Sequence, residues 1–167
     1  MGHGSSASID HGVIAGGGGT TRIEGGFASF NALEVHQADL RLTNTLLEQN
    51  ADGRERTSDT RVGRGDNSPG SIFINASQPI IVGNDFVDGA GVPLSFDVNA
   101  LNSQEVNDPG RSTGLLDRVA IVGNTGPLIQ GNSFTGNAIN GLQVRGCLLY
   151  TSPSPRDQRG SRMPSSA

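Results

Sequence analysis

Apolar and polar side chains alternate in short runs along this chain. Leu33 and Val35 alternate with Glu34 and His36, Ile72 and Ile74 with Phe73 and Asn75, and Leu142 and Val144 with Gln143 and Arg145. Successive strand residues point to opposite faces, so each run predicts a β-strand with one side inside and one in water. On this reading Phe73 faces out and tolerates a charge, whereas Phe86→Asp or Phe134→Asp buries one and unfolds the chain.

Three stretches repeat one pattern: Asp39-Leu-Arg-Leu-Thr-Asn44-Thr-Leu46, Pro79-Ile-Ile-Val-Gly-Asn84-Asp-Phe86 and Pro127-Leu-Ile-Gln-Gly-Asn132-Ser-Phe134. Each is a short apolar strand, an Asn, one further residue, and a large apolar side chain. Asn44 and Asn84 are 40 residues apart and Asn84 and Asn132 are 48 apart, the latter read as two steps of 24. A second series of strand centres, Val13, Val35, Ile74, Val98, Ile121 and Val144, advances by 22, 39, 24, 23 and 23. The long step contains the polar run 52–70 (DGRERTSDTRVGRGDNSPG), read as a loop insertion. A period in the twenties predicts an all-β solenoid of about five to six turns, in which each turn buries its apolar edge only by stacking on its neighbours. The Gly-Asn pairs fall where the chain must corner. Asn44, Asn84 and Asn132 are expected to form a hydrogen-bonded ladder there, with Leu46, Phe86 and Phe134 as an apolar ladder inside. The competing reading, hairpin turns of an antiparallel sandwich, predicts turns every 8–12 residues or so.

These residues, above all SIFINASQPIIVGNDF (71–86) and VAIVGNTGPLIQGNSFTGNAINGLQV (119–144), resemble the right-handed parallel β-helix repeats of the pectate-lyase-like superfamily, found in large secreted bacterial proteins. The likeness spans residues 9–146. The resemblance implies an extracellular or cell-surface location and further β-helix turns or flanking domains in the same full-length chain. It also makes polysaccharide or another extracellular ligand the expected partner.

Residues 147–167 leave the pattern abruptly. CLLYTSPSPRD (147–157) resembles the translation of a transposase-type sequencing adapter, and SRMPSSA (161–167) that of the outer adapter in the same frame, after a gap the length of a sample index. The tail is therefore set apart from fold reasoning. Residues 1–8 are read as disordered or as the cut edge of a longer frame, since the start has neither the charged nor the apolar region of a signal peptide and no capping turn is visible at either end.

Setting the tail aside changes the composition. The only Cys (Cys147) and the only Tyr (Tyr150) go with it, which excludes thiol chemistry and cysteine metal sites from the rest. Of 12 basic and 16 acidic residues, Arg156, Arg159, Arg162 and Asp157 lie in the tail, leaving nine and fifteen, and there is no Lys. An acidic chain without a basic patch is not expected to bind nucleic acid. No apolar run reaches the ~20 residues of a membrane span.

Candidate chemistry must come from outward positions. Glu34, His36, Asn75, Asp97, Gln143 and Arg145 are expected on one solvent-facing sheet in successive turns, a candidate binding face. In enzymes of the resembled superfamily such a row forms the polysaccharide groove, where carboxylates act as acid and base or hold calcium. If the chain is an enzyme, Glu34, Asp97 and His36 are the catalytic candidates. Ile9-Asp10-His11 resembles a pectate-lyase strand without its supporting charged residues, and the polygalacturonase motifs are absent. In the insertion, Asp52, Glu55, Asp59 and Asp66 suit the oxygen shell of Ca2+, but neither the EF-hand nor the β-roll spacing is present, and four nearby Arg offset the charge. No cofactor is assigned. The expectation is a structural or carbohydrate-contacting, adhesive segment without catalysis; the alternative is a fragment of a polysaccharide lyase or glycoside hydrolase.

Overall fold

A computed structural model describes residues 5–23, 26–53, 70–101 and 126–145. The tail and the expected strand at Ile121 lie outside them. The chain runs through β1 (Ser6–Asp10), β2 (Val13–Ala15), β3 (Gly19–Ile23), β4 (Gly26–Phe30), β5 (Leu33–His36), β6 (Asp39–Thr43), β7 (Leu46–Glu48), β8 (Ile72–Asn75), β9 (Ile80–Val82), β10 (Asp85–Val87) and β11 (Leu94–Asp97). A short 3-10 helix (Val98–Leu101), β12 (Leu128–Gln130), β13 (Ser133–Thr135) and β14 (Leu142–Arg145) follow. There is no α-helix among the described residues.

Twelve of the strands form three four-stranded parallel sheets, ordered β1-β6-β9-β12, β2-β7-β10-β13 and β5-β8-β11-β14. Consecutive strands enter different sheets, and each strand pairs with its counterparts one pass earlier and one pass later. The molecule is thus a stack of four three-stranded layers, consistent with an all-β parallel solenoid. The antiparallel sandwich is overturned, since the only antiparallel pair among the described residues is the β3–β4 hairpin.

The register corrects the expected repeat. Ile72 pairs with Leu94, a step of 22 residues with no insertion. Elsewhere the steps are longer: Ser6 to Asp39 contains the hairpin, Leu33 to Ile72 contains residues 54–69, and Leu94 to Leu142 contains residues 102–125. Phe86 pairs directly with Phe134, so the step of 48 is one layer and not two, and the described residues form four layers instead of five or six.

Inside the stack, like positions line up in apolar columns. Ile9, Leu42, Ile81 and Ile129 come from the first sheet, and Ile14, Leu47, Phe86 and Phe134 from the second. The third contributes Leu33, Ile72, Leu94 and Leu142 beside Val35, Ile74, Phe96 and Val144. Members in the two middle layers are at most 5% exposed. Phe86 and Phe134 stack with centroids 5.3 Å apart. The second-sheet column carries Leu47, not Leu46, because Leu46 pairs with the outward Asp85. Val13 likewise points out, 65% exposed, and so belongs to a different sheet and face from Val35, Ile74 and Val144. Val98 is in the 3-10 helix rather than a strand. Its counterparts Gln37 and Ala76 turn the corner with φ of 48°, a left-handed conformation that β-branched residues resist.

Corners follow one rule. A residue of positive φ is succeeded by a small or polar one, as at His11-Gly12, Asn44-Thr45, Gly83-Asn84 and Gly131-Asn132. At Gly83 (φ 67°) a Cβ would lie 3.0 Å from Asn44 Oδ1, so conformation and space both favour glycine there. The hairpin lies between β2 and β5, and residues 54–69 come between β7 and β8 in the chain, so both intervals join the second sheet to the third, one layer apart. Their necks are tied together: Asn31 Nδ2 donates to Gly70 O at 2.7 Å and Gly70 N donates to Asp52 O.

The position of Phe73 also departs from expectation. It lies in the outward column of the third sheet with Glu34 and Ser95, yet is only 2% exposed and meets His36 edge-on at 5.6 Å. Denaturant unfolding is therefore expected to show Phe73→Asp as damaging as Phe86→Asp, while Val13→Asp stays within about 0.5 kcal/mol of the parent. Phe86→Ala should cost about 3–5 kcal/mol, and Gly83→Ala about 1–2 kcal/mol.

Candidate functional site

The third sheet brings the predicted row together in two adjacent columns. Glu34, Phe73, Ser95 and Gln143 form one, and His36, Asn75, Asp97 and Arg145 form the other. Strand pairing places successive members about 4.8 Å apart. Glu34 and Asp97 are in different columns and two layers apart, so about 10 Å separates their strands.

Within the row, hydrogen bonds consume the groups that acid–base chemistry would need. His36 Nε2 lies 3.2 Å from Glu34 Oε2, and His36 Nδ1 lies 3.2 Å from Asn75 Nδ2. An amide nitrogen only donates, so Nδ1 is the acceptor and Nε2 carries the hydrogen toward Glu34. Both ring nitrogens are thereby engaged. Glu34 Oε1 also accepts from Asn31 N at 3.2 Å. Asp97, expected on a solvent-facing surface, is instead 8% exposed. Its Oδ1 accepts from Ala76 N (3.0 Å) and Ala100 N (3.1 Å), joining the layer below to the start of the 3-10 helix. This carboxylate caps backbone amides as a helix N-cap does.

The corners hold a second polar system, running inward. Thr45 Oγ1 accepts from Gly12 N at 3.3 Å, Asn84 Oδ1 from Thr45 N at 2.9 Å, and Asn132 Oδ1 from Asn84 N at 2.9 Å. Asn84 Nδ2 donates to Leu42 O and Asn132 Nδ2 to Ile81 O. The ladder is real but displaced by one residue in its second layer, where Thr45 takes the rung assigned to Asn44. Asn44 occupies the preceding left-handed position, is exposed, and donates to Asp10 Oδ1. A parallel ladder at the next corner escaped the sequence reading. Asn50 Oδ1 accepts from Gly17 N and Asn137 Oδ1 from Gly89 N, while Asn50 Nδ2 and Asn137 Nδ2 donate to Ile14 O and Phe86 O. Its signal was present: Asn50, Gly89 and Asn137 recur at the same spacings of 39 and 48 as Thr45, Asn84 and Asn132.

On the first sheet, Arg41 is 1% exposed and its guanidinium donates to Thr43 Oγ1 at 3.0 Å. Thr43 Oγ1 in turn donates to Asp10 Oδ1 at 2.6 Å. Asp10 also holds His11 Nδ1 at 3.0 Å. The Ile-Asp-His stretch is thus a strand end tied to the next layer, with His11 turning the corner. For calcium, no group of three or more His, Cys, Asp or Glu is gathered among the described residues. Asp52 sits at the neck of the insertion, and Glu55, Asp59 and Asp66 lie outside the described residues.

Comparisons with protein-family models, with curated proteins and with solved structures find no match to this chain.

Removing Asn84 strands Thr45 N and Leu42 O inside the stack, so Asn84→Ala should cost about 1–3 kcal/mol for each group left unpaired. Asn44→Gly should stay near neutral, because Asn44 is exposed in a conformation glycine adopts freely; equal losses at the two positions would contradict the register. Asp97→Asn retains an oxygen acceptor and should be mild, whereas Asp97→Ala should cost about 1–2 kcal/mol in the same unfolding measurement.

Proposed function

We propose that this chain is a segment of a right-handed parallel β-helix acting as a rigid stalk or as a carbohydrate-contacting, adhesive surface of a secreted or surface-attached bacterial protein, without catalysis. The observation that carries this reading is the state of the outward row. His36 is held on both nitrogens and Asp97 is committed to two backbone amides, so the groups best suited to proton transfer serve the scaffold. Right-handedness is supported by the strong preference of parallel crossover connections for that hand. The outward amide of Gln143 is of the kind that hydrogen-bonds sugar hydroxyls.

The test is to incubate the chain with polygalacturonate, xylan and dextran, following retention in affinity electrophoresis and bond cleavage by new reducing ends and by absorbance of unsaturated products. Retention without cleavage, or neither, is expected. Cleavage abolished by Glu34→Gln would establish an enzyme and overturn the reading.

A further inference from the structure

The outward face of the third sheet carries an imidazole whose two hydrogen bonds can be satisfied in only two ways. His36 Nε2 lies 3.2 Å from Glu34 Oε2 on its own strand, and His36 Nδ1 lies 3.2 Å from Asn75 Nδ2 on β8. An ionised carboxylate only accepts, so Nε2 carries a hydrogen in both arrangements. The charge of the ring is therefore decided at Nδ1. As a lone pair, Nδ1 accepts from the Asn75 amide nitrogen. With a proton there, two donors would face each other at 3.2 Å, and the amide has to present its oxygen instead. Among the described residues this is the one hydrogen bond of the Asn75 side chain, so turning it over breaks no other.

The surroundings suit such a turn. Solvent reaches 29% of the His36 side chain and can deliver the proton, and Asn75 is half-buried. On β5 the titratable group facing the ring is Glu34, while β8 faces it with Phe73, centroids 5.6 Å apart, and Asn75, neither of which titrates. Asp97 on β11 lies beyond Asn75 in the same column, and its Oδ1 is taken by Ala76 N and Ala100 N. His11 is built differently. Its Nδ1 lies 3.0 Å from Asp10 Oδ2 and 65% of its side chain is exposed, so it takes up a proton with no rearrangement.

We propose that His36 and Asn75 form a proton-operated amide switch between the first two layers: uptake of one proton at His36 Nδ1 turns the Asn75 amide over, so that Oδ1 replaces Nδ2 against the ring. The paired backbones of β5 and β8 stay in register. Both bonds of the ring survive, but the one between layers changes from a neutral N–H···N to a charge-assisted N–H···O, the shorter and stronger kind. At the same time the ring's charge cancels that of Glu34, and the amide's donors move to the side away from the ring. Acid thus tightens the tie between the layers and changes what this end of the row presents, a role for which histidine is the usual side chain. The switch works whether the face contacts a ligand or only water.

Nuclear magnetic resonance on the isotope-labelled full chain tests this between about pH 8 and about pH 5, the range in which an imidazole changes charge. At the upper end the expected pattern is the Nε2–H tautomer of His36, with cross-relaxation from the Asn75 amide protons to the ring proton between the two nitrogens. That cross-peak is expected to vanish as His36 takes up its proton, with one midpoint for both signals, whereas His11 titrates without altering the amide of Asn44. In His36→Gln the Asn75 amide should show no pH response. Amide protons that stay against the ring throughout, an Nδ1–H tautomer at the upper end, or a His36 still neutral at about pH 5 would each overturn the proposal. A pH response of the Asn75 amide that persists in His36→Gln would overturn it as well, since it would trace the turn to Asp97.

Discussion

A side-chain amide that hydrogen-bonds to the backbone one layer away is the interaction on which the rest of this structure depends. A strand of three or four residues makes too few ladder bonds to hold itself, and a single layer has no interior. At each corner the chain must also leave the ladder, exposing N–H and C=O groups that cannot stay unpaired inside a protein. Asn84 resolves these demands together: its oxygen and nitrogen serve two backbone groups of the layer below, and its own N–H is served from above. Thr45, Asn50, Asn132 and Asn137 repeat parts of that arrangement. With the corners fixed, the columns of Ile81, Phe86 and Phe96 are obliged to stack in register.

The same economy accounts for the outer face. Glu34, His36, Asn75 and Asp97 lie where a polysaccharide groove was expected, yet each spends hydrogen bonds on its neighbours or on the backbone. Likewise the buried Arg41 donates to Thr43, which in turn donates to Asp10 of the neighbouring strand, so its guanidinium is tied along the sheet. Side chains on this fold hold adjacent layers together on both faces, and polarity on the outside is not by itself a sign of chemistry.

The architecture was legible in the sequence because alternation and repetition are direct projections of strand pleat and stacking. Asn84, Asn132, Phe86 and Phe134 could be aligned by eye, and they do align. The errors share one cause, which is that spacing along the chain does not reveal which residues are spent on insertions. Aligning Asn44 with Asn84 is natural, but the ladder follows the residue after the left-handed turn, and in that layer it is Thr45. Forty-eight residues divide neatly by two, yet the chain makes one circuit in that length. Phe73 has the parity of an exposed residue and is buried, since parity determines the face of a sheet and not what covers it. Asp97 fails for a related reason, because its partners are amides of a corner and of a 3-10 helix, elements that alternation does not describe.

The common neck of the hairpin and of residues 54–69 has a consequence for how such a chain can change. Asn31, Asp52 and Gly70 are bonded to one another where these two intervals meet the stack, so the sheets on either side are joined through the same few atoms. Lengthening a closed loop adds an entropic cost that grows only with the logarithm of its length. This corner is therefore a place where sequence can be gained, lost or exchanged with little effect on the column, and where foreign segments could be carried at fixed height along a rigid axis.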